Sequence, residues 1–167
     1  GLRRPDGGEV RFEGRSLASR ASRELDRFRA GQLGFVFQRA ALLPYLTVRE
    51  NVSLALGCLG PRALGESASR VERLLEWTGL GPLAERRADR LSVGEAQRVA
   101  VARALVKNPP LVLADEPTGS IDAAGAAANV DLLLLDRADR IVVIATHDAR
   151  VSARCERVLA VQEGRLV

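Results

Sequence analysis

Four short apolar runs, each closed by a polar residue, set the pattern of this chain. They are Leu33-Gly34-Phe35-Val36-Phe37 before Gln38, Leu111-Val112-Leu113-Ala114 before Asp115, Ile141-Val142-Val143-Ile144-Ala145 before Thr146, and Val158-Leu159-Ala160-Val161 before Gln162. Runs that are continuously apolar and β-branched predict strands of a parallel sheet covered on both faces. Helical spacing fills the intervals between them. The pattern therefore predicts an α/β fold with a mostly parallel sheet. In open α/β sheets ligands bind beyond the strand C-termini, so the polar residues that close the runs become the candidate site.

Between Thr47 and Arg90 the pattern changes. Val71, Leu74 and Leu75 follow helical spacing and no strand is evident. Residues 47–90 are read as a helical subdomain inserted into an α/β core made of residues 1–46 and 91–167. Gly8 to Gly14 alternates and turns like a strand at a sheet edge. Val158 to Val167, with its Glu163-Gly164 turn, reads as a closing hairpin.

At 167 residues the chain is long enough for one domain with a real core. Apolar residues make up 47% and charged residues 28%, as in a globular protein. No apolar run approaches the roughly 20 residues of a membrane span. No apolar signal core follows Gly1-Leu2-Arg3-Arg4. The chain is expected neither to be secreted nor to span a membrane by its own sequence, although a partner could hold it at one. It contains no Met, which leaves open a trimmed chain or a start inside a longer frame. The net charge is +4, but the arginines are scattered among acids and few aromatics accompany them. That favours a solvated arginine-rich surface over a nucleic-acid face. Cys58 and Cys155 lack CxxC or His companions and read as reduced thiols.

At the end of the second run, Asp115 and Glu116 place two adjacent carboxylates. Phosphoryl transfer needs one acid for Mg²⁺ and a residue that polarises the attacking water. A plain turn before Pro117 would use the same pair. Ser92 and Gly94 stand where a helix begins, and free N–H groups there favour phosphate. The alternative is a serine N-cap with Glu95 at N3, a capping box. His147, the single histidine, follows the third run and is placed to touch a phosphate or order a water. Gln38, after the first, could offer its carbonyl to Mg²⁺ or water, or could face solvent.

Taken together, the order Gln38, a helical insert, Leu91-Ser92-Val93-Gly94-Glu95, Leu111 to Asp122, then His147 resembles the ATP-binding-cassette (ABC) ATPases along essentially the whole chain. The resemblance implies an ATPase subunit that uses ATP and Mg²⁺, with a P-loop NTPase-like fold. It implies a metal-binding Asp115, a catalytic Glu116, a switch histidine at His147, and Gln38 in a loop serving both nucleotide and metal. It also implies nucleotide contacts from Ser92, Gly94 and Glu95 of the signature motif and from Asp122 of the D-loop. Val93 and Ala96 depart from the family's usual glycine and glutamine, while Gly94 is kept. Asp115-Glu116-Pro117-Thr118-Gly119, Phe35-Val36-Phe37-Gln38, Leu43-Pro44 and Glu50-Asn51-Val52 look like the lipoprotein-release and macrolide-export type. The cell-division ATPase that acts on a membrane partner without known transport looks nearly the same. The DNA-repair and chromosome-organising cassettes fit less well, because they carry long insertions between the positions of Gln38 and Ser92. The implied partners are a transmembrane permease and a second ATPase subunit in a homodimer. The implied place is the cytoplasmic face of the cell membrane, peripheral through the permease. The implied permease contact is around Leu43 to Val52.

The family's phosphate loop, G-x-x-x-x-G-K-[ST], cradles phosphates with backbone N–H groups and a lysine. The only lysine here, Lys107, has no glycine frame and reads as a helix-end residue. Gly1 to Val10 resembles the stretch just after that loop's helix. A chain without the loop is expected to bind ATP poorly and to be inactive alone. It is also expected to be marginally stable, with apolar faces uncovered on runs such as Ile141 to Ala145.

Overall fold

A computed structural model of the chain describes residues 5–60, 68–119, 121, 123–134 and 140–167. A short hairpin, β1 (Arg11–Phe12) and β2 (Arg15–Ser16), precedes helix α1 (Ser22–Gln32) and strand β3 (Leu33–Val36). Helices α2 (Val48–Gly57), α3 (Ala68–Trp77) and α4 (Val93–Leu105) follow, with short 3₁₀ turns at Gly81–Leu83 and Ala88–Arg90. Then come β4 (Leu111–Asp115), α5 (Ala123–Leu134), β5 (Ile141–Ala145), α6 (Ala149–Ser152) and a last hairpin, β6 (Val161–Gln162) with β7 (Arg165–Leu166).

Three of the four apolar runs form the central sheet, in the order β3-β4-β5 and parallel throughout. The register sets Gly34, Val112 and Val142 side by side, then Val36, Ala114 and Ile144. That face packs against α4, whose Val99, Val101, Ala102 and Leu105 are buried with Val112 and Ala114. Full burial of each Val or Leu contributes about 1.5–3 kcal/mol. On the opposite face Phe28 of α1, Leu33 and Leu17 make a second cluster, with Phe35 and Leu111 against it. Gly34 is required by close approach: a Cβ there would lie 2.5 Å from the carbonyl oxygen of Ala104 in α4.

Helix starts follow from local chemistry. Thr47 accepts from Glu50 N at 3.2 Å and Glu50 Oε2 accepts from Thr47 N at 2.8 Å, a capping box opening α2. Buried Val48, Val52 and Leu56 of α2 and Val71, Leu74 and Leu75 of α3 join the same core as the sheet. Both terminal hairpins turn through Glu-Gly pairs with positive φ, Glu13 and Gly14, then Glu163 and Gly164, as two-residue hairpin turns demand.

One expectation of burial is corrected, and a second holds in part. Val158 to Val161 is not a buried strand of the sheet. Only Val161 pairs, antiparallel with Leu166, and Val158, Leu159 and Val161 are exposed. The run belongs to the terminal hairpin, whose two short strands have no sheet face to cover. Ile141 to Ala145 is a strand that is not covered on both faces, and the other expectation for it, an apolar face left uncovered, is met. Val142 and Ile144 pack on the core, whereas Ile141 and Val143 are 60% and 50% exposed at the edge of the sheet. Cys58 and Cys155 are free thiols. Among the described residues no helix is long and apolar enough to cross a membrane.

Candidate functional site

The parallel sheet carries Gln38, Asp115 and His147 to one edge, beyond the C-termini of β3, β4 and β5. Asp115 is the last residue of β4 and pairs in register with Ala145, so His147 follows two residues beyond that pair. Glu116 comes next on β4's path and adopts a left-handed backbone, φ +43°. For a residue with a Cβ that conformation costs about 1–2 kcal/mol. It is offset by hydrogen bonds from Glu116 N to Ala145 O and from Gly119 N to Glu116 O, both 2.9 Å. The turn aims the Glu116 side chain across to the end of β5.

There the carboxylate is held on three sides. Its Oε1 accepts from His147 N at 3.0 Å and lies 2.7 Å from His147 Nδ1. Its Oε2 accepts from Thr146 Oγ1 at 3.2 Å. A carboxylate has roughly four acceptor positions, so one stays available for a water proton. With a carboxylate as its partner, Nδ1 is the nitrogen that donates in this contact, and Nε2 faces outward on a side chain that is 90% exposed. Thr146 Oγ1 also accepts from Asp148 N at 3.0 Å. Asp148 caps α6 and is held at a pKa of about 2, chiefly by hydrogen bonds from the Arg150 side chain and backbone.

Gln38 stands beside this turn, its Cγ 3.8 Å from where a Cβ on Gly119 would lie. Asp115 is exposed at the strand end. Among the described residues no group of three His, Cys, Asp or Glu could hold a metal unaided. Asp115 and Gln38 are hard oxygen donors, and this small set fits Mg²⁺, which is normally held by one or two carboxylates with phosphate and water.

Ser92, Gly94 and Glu95 are gathered elsewhere, at the N-terminus of α4. Ser92 Oγ accepts from Glu95 N at 3.3 Å and Glu95 Oε2 accepts from Ser92 N at 2.7 Å. These bonds to Ser92 hold the Glu95 carboxyl below its ordinary pKa. The capping box is thus real, and it leaves the Ser92 hydroxyl proton free to donate. A Cβ on Gly94 would lie 3.7 Å from Ile121, so this helix start abuts the segment that follows Glu116. Asp122 lies outside the described residues.

Sequence reasoning missed several supports. Thr146 holds Glu116, and its position between the strand and His147 was the available signal. Buried Asn129 donates from Nδ2 to Pro117 O at 3.3 Å, steadying the turn after Glu116. Gln97 is 2% exposed and donates to Phe37 O at 3.1 Å, and Arg103 donates to Ala40 O and Ala41 O. Lys107 is at a helix end, but its ammonium serves another helix, donating to the carbonyls of Arg29, Ala30 and Leu33 at the C-terminus of α1.

Residues 1–119 match the family described as ABC transporter. The lipoprotein-releasing system ATP-binding protein LolD of Anaeromyxobacter dehalogenans is 44% identical across 99% of this chain and 70% of its own length. A LolD protein of Caulobacter vibrioides is 41% identical, with 99% of this chain and 73% of its length covered. Among solved structures, a dimeric post-hydrolysis state of the ATP-binding cassette MJ0796 bound to ADP and Pi superposes with a TM-score of 0.85. It is 34% identical over 99% of this chain and 73% of that one. A family match over most of the chain and these identities lead to one assignment: the chain belongs to the ABC transporter family, on the side of its ATP-hydrolysing cassettes.

Proposed function

We propose that this chain serves in an ATP-hydrolysing subunit that drives export through a membrane permease, the subunit acting as a homodimer held at the cytoplasmic face of the membrane by that permease, and that without the phosphate loop the chain is inactive alone. The observation that carries the reading is the 2.7 Å contact between Glu116 Oε1 and His147 Nδ1, beside Asp115 and Gln38 at the ends of parallel strands. In it, Glu116 takes the proton of the attacking water, and His147 and Thr146 fix its carboxylate. His147 presents Nε2 towards the terminal phosphate. Asp115 and the Gln38 carbonyl are the oxygen donors for Mg²⁺, which when bound neutralises phosphate charge. Ser92 and Gly94 offer a hydroxyl and helix-start N–H groups to a phosphate held by the second subunit. Asp122 belongs to the same assembly as a D-loop residue, and Glu95 acts there through the Ser92 cap.

The relatives support the export reading, since LolD belongs to a lipoprotein-releasing system and another, 36% identical, is a probable syringafactin export protein of Pseudomonas syringae. Residues 47–90 are proposed as the helical unit that meets the permease. Within the span from Leu43 to Val52, Leu43 and Tyr45 are exposed while Val48, Asn51 and Val52 are buried. The proposed contact, around Leu43 to Val52, thus includes the exposed Leu43 and Tyr45 at the entrance to that helical unit.

Mg²⁺-dependent ATP hydrolysis by the full-length protein tests this function. Asp115→Asn should reduce it by about 10²-fold or more, as loss of a charge-stabilising contact does. Turnover that is independent of Mg²⁺ and unchanged in Asp115→Asn would refute the assignment. Cross-linking from Tyr45 to the membrane partner tests the contact, and cross-links confined to the terminal hairpin would count against it.

A further inference from the structure

From Phe37 to Leu46 the chain runs without helix or strand, yet its carbonyls are held by side chains from two helices. On one side, Gln97 Nε2 donates to Phe37 O at 3.1 Å, Arg103 Nη2 to Ala40 O at 2.7 Å and Arg103 Nη1 to Ala41 O at 2.8 Å. On the other, Asn51 is fully buried, takes Leu43 N on its Oδ1 at 2.9 Å and donates to the carbonyls of Leu43, Leu46 and Thr47. Gln38 thus lies in a track fastened at Phe37 and again at Ala40. Gln97 and Arg103 both belong to α4, the helix whose first residues follow Ser92.

Arg103 is half-buried, and among the described residues no carboxylate partners it. Desolvating a cation without a counter-charge is unfavourable, and two carbonyl dipoles provide its compensation. Ala41, one of its two acceptors, has a φ of +46°, a left-handed backbone that an alanine keeps only when its surroundings impose it. The fork geometry of a guanidinium suits two neighbouring carbonyls, whereas an ammonium on a flexible stem does not reproduce it.

We infer that Arg103, with Gln97 behind it, is a positioning residue that locks the backbone after Gln38 to α4, so that Gln38 and the Ser92–Gly94 end of that helix move as one body. The locking rests on geometry alone, and its consequence for turnover rests on the ATPase reading above.

The test compares full-length parent, Arg103→Lys, Gln97→Met and Glu116→Gln. Losing such a hydrogen bond is a change of about tenfold in a local opening equilibrium. Amide hydrogen exchange over residues 39–46 should accelerate about tenfold in Arg103→Lys and in Gln97→Met, with β4 and β5 unchanged. The kcat for ATP should fall about tenfold while KM stays within about twofold, because the nucleotide's own contacts remain. Unchanged exchange in residues 39–46 would overturn the lock. A loosened loop with unaltered kcat would overturn the positioning role, as would loss of cooperative folding in both variants. If Glu116→Gln retains turnover, the ATPase reading fails instead, and the exchange result still decides the lock.

Discussion

Glu116 and His147, 31 positions apart in sequence, meet because two parallel strands end side by side. Their contact is double, through the imidazole Nδ1 at 2.7 Å and the backbone N–H at 3.0 Å. The backbone half of that contact survives any substitution at position 147. His147→Ala should therefore leave Glu116 nearly in place and still reduce turnover by about 10²-fold or more, since in the proposed mechanism the lost group acts on the reaction itself. Single-turnover kinetics of the full-length protein, with nucleotide affinity measured separately, checks this. A loss of affinity without loss of rate would contradict it.

Ser92 carries two proposed roles that substitution can separate. Ser92→Ala removes the cap of α4 and should destabilise the fold by about 1 kcal/mol. Ser92→Asp keeps a capping acceptor and so should keep stability, yet it places a negative charge where a phosphate is proposed to sit. Denaturant unfolding should rank Asp near the parent and Ala below it, while ATP turnover should be lowest for Asp. Equal turnover in Asp and parent would leave Ser92 a cap alone.

Gly34→Ala tests the packing of α4 on the sheet. The new Cβ would meet a backbone carbonyl at 2.5 Å, not a movable side chain. Overpacking of this kind costs about 1–3 kcal/mol, and equilibrium unfolding should show it.

Acid should leave the α6 cap in place until strongly acidic pH. Asp148 has a folded pKa of about 2, below its ordinary value. A depressed carboxyl contributes its stabilisation above the unfolded pKa and loses it as pH falls through the folded one. An NMR titration of the Asp148 carboxyl should therefore show ionisation retained down to about pH 2, and Asp148→Ala, which removes the capping acceptor, should fray Ala149–Ser152 even at neutral pH.

Much of this was legible because local chemistry and the tertiary result agree. The runs at Leu33, Leu111 and Ile141 are strands because nothing in them suits a turn, and the residues that close them share one edge because the strands are parallel. The capping box at Ser92 and Glu95 is written in four residues. The run at Val158 misled because an apolar stretch does not state whether a sheet is near enough to cover it, and the Glu163-Gly164 turn was the better guide. The left-handed turn at Glu116 was invisible, since nothing in a glutamate requires positive φ. Gln97 and Arg103 were hidden because their acceptors are backbone carbonyls some 60 residues away, and every residue has a carbonyl.

The central claim is that Glu116 accepts the proton of the attacking water, and Glu116→Gln tests it most directly. The amide keeps the shape of the side chain and removes its basicity. Full-length Glu116→Gln should bind ATP as the parent does, lose turnover by about 10²–10⁴-fold, and accumulate as an ATP-bound dimer in light scattering. Near-parental turnover, with no ATP-dependent dimer, would contradict the account.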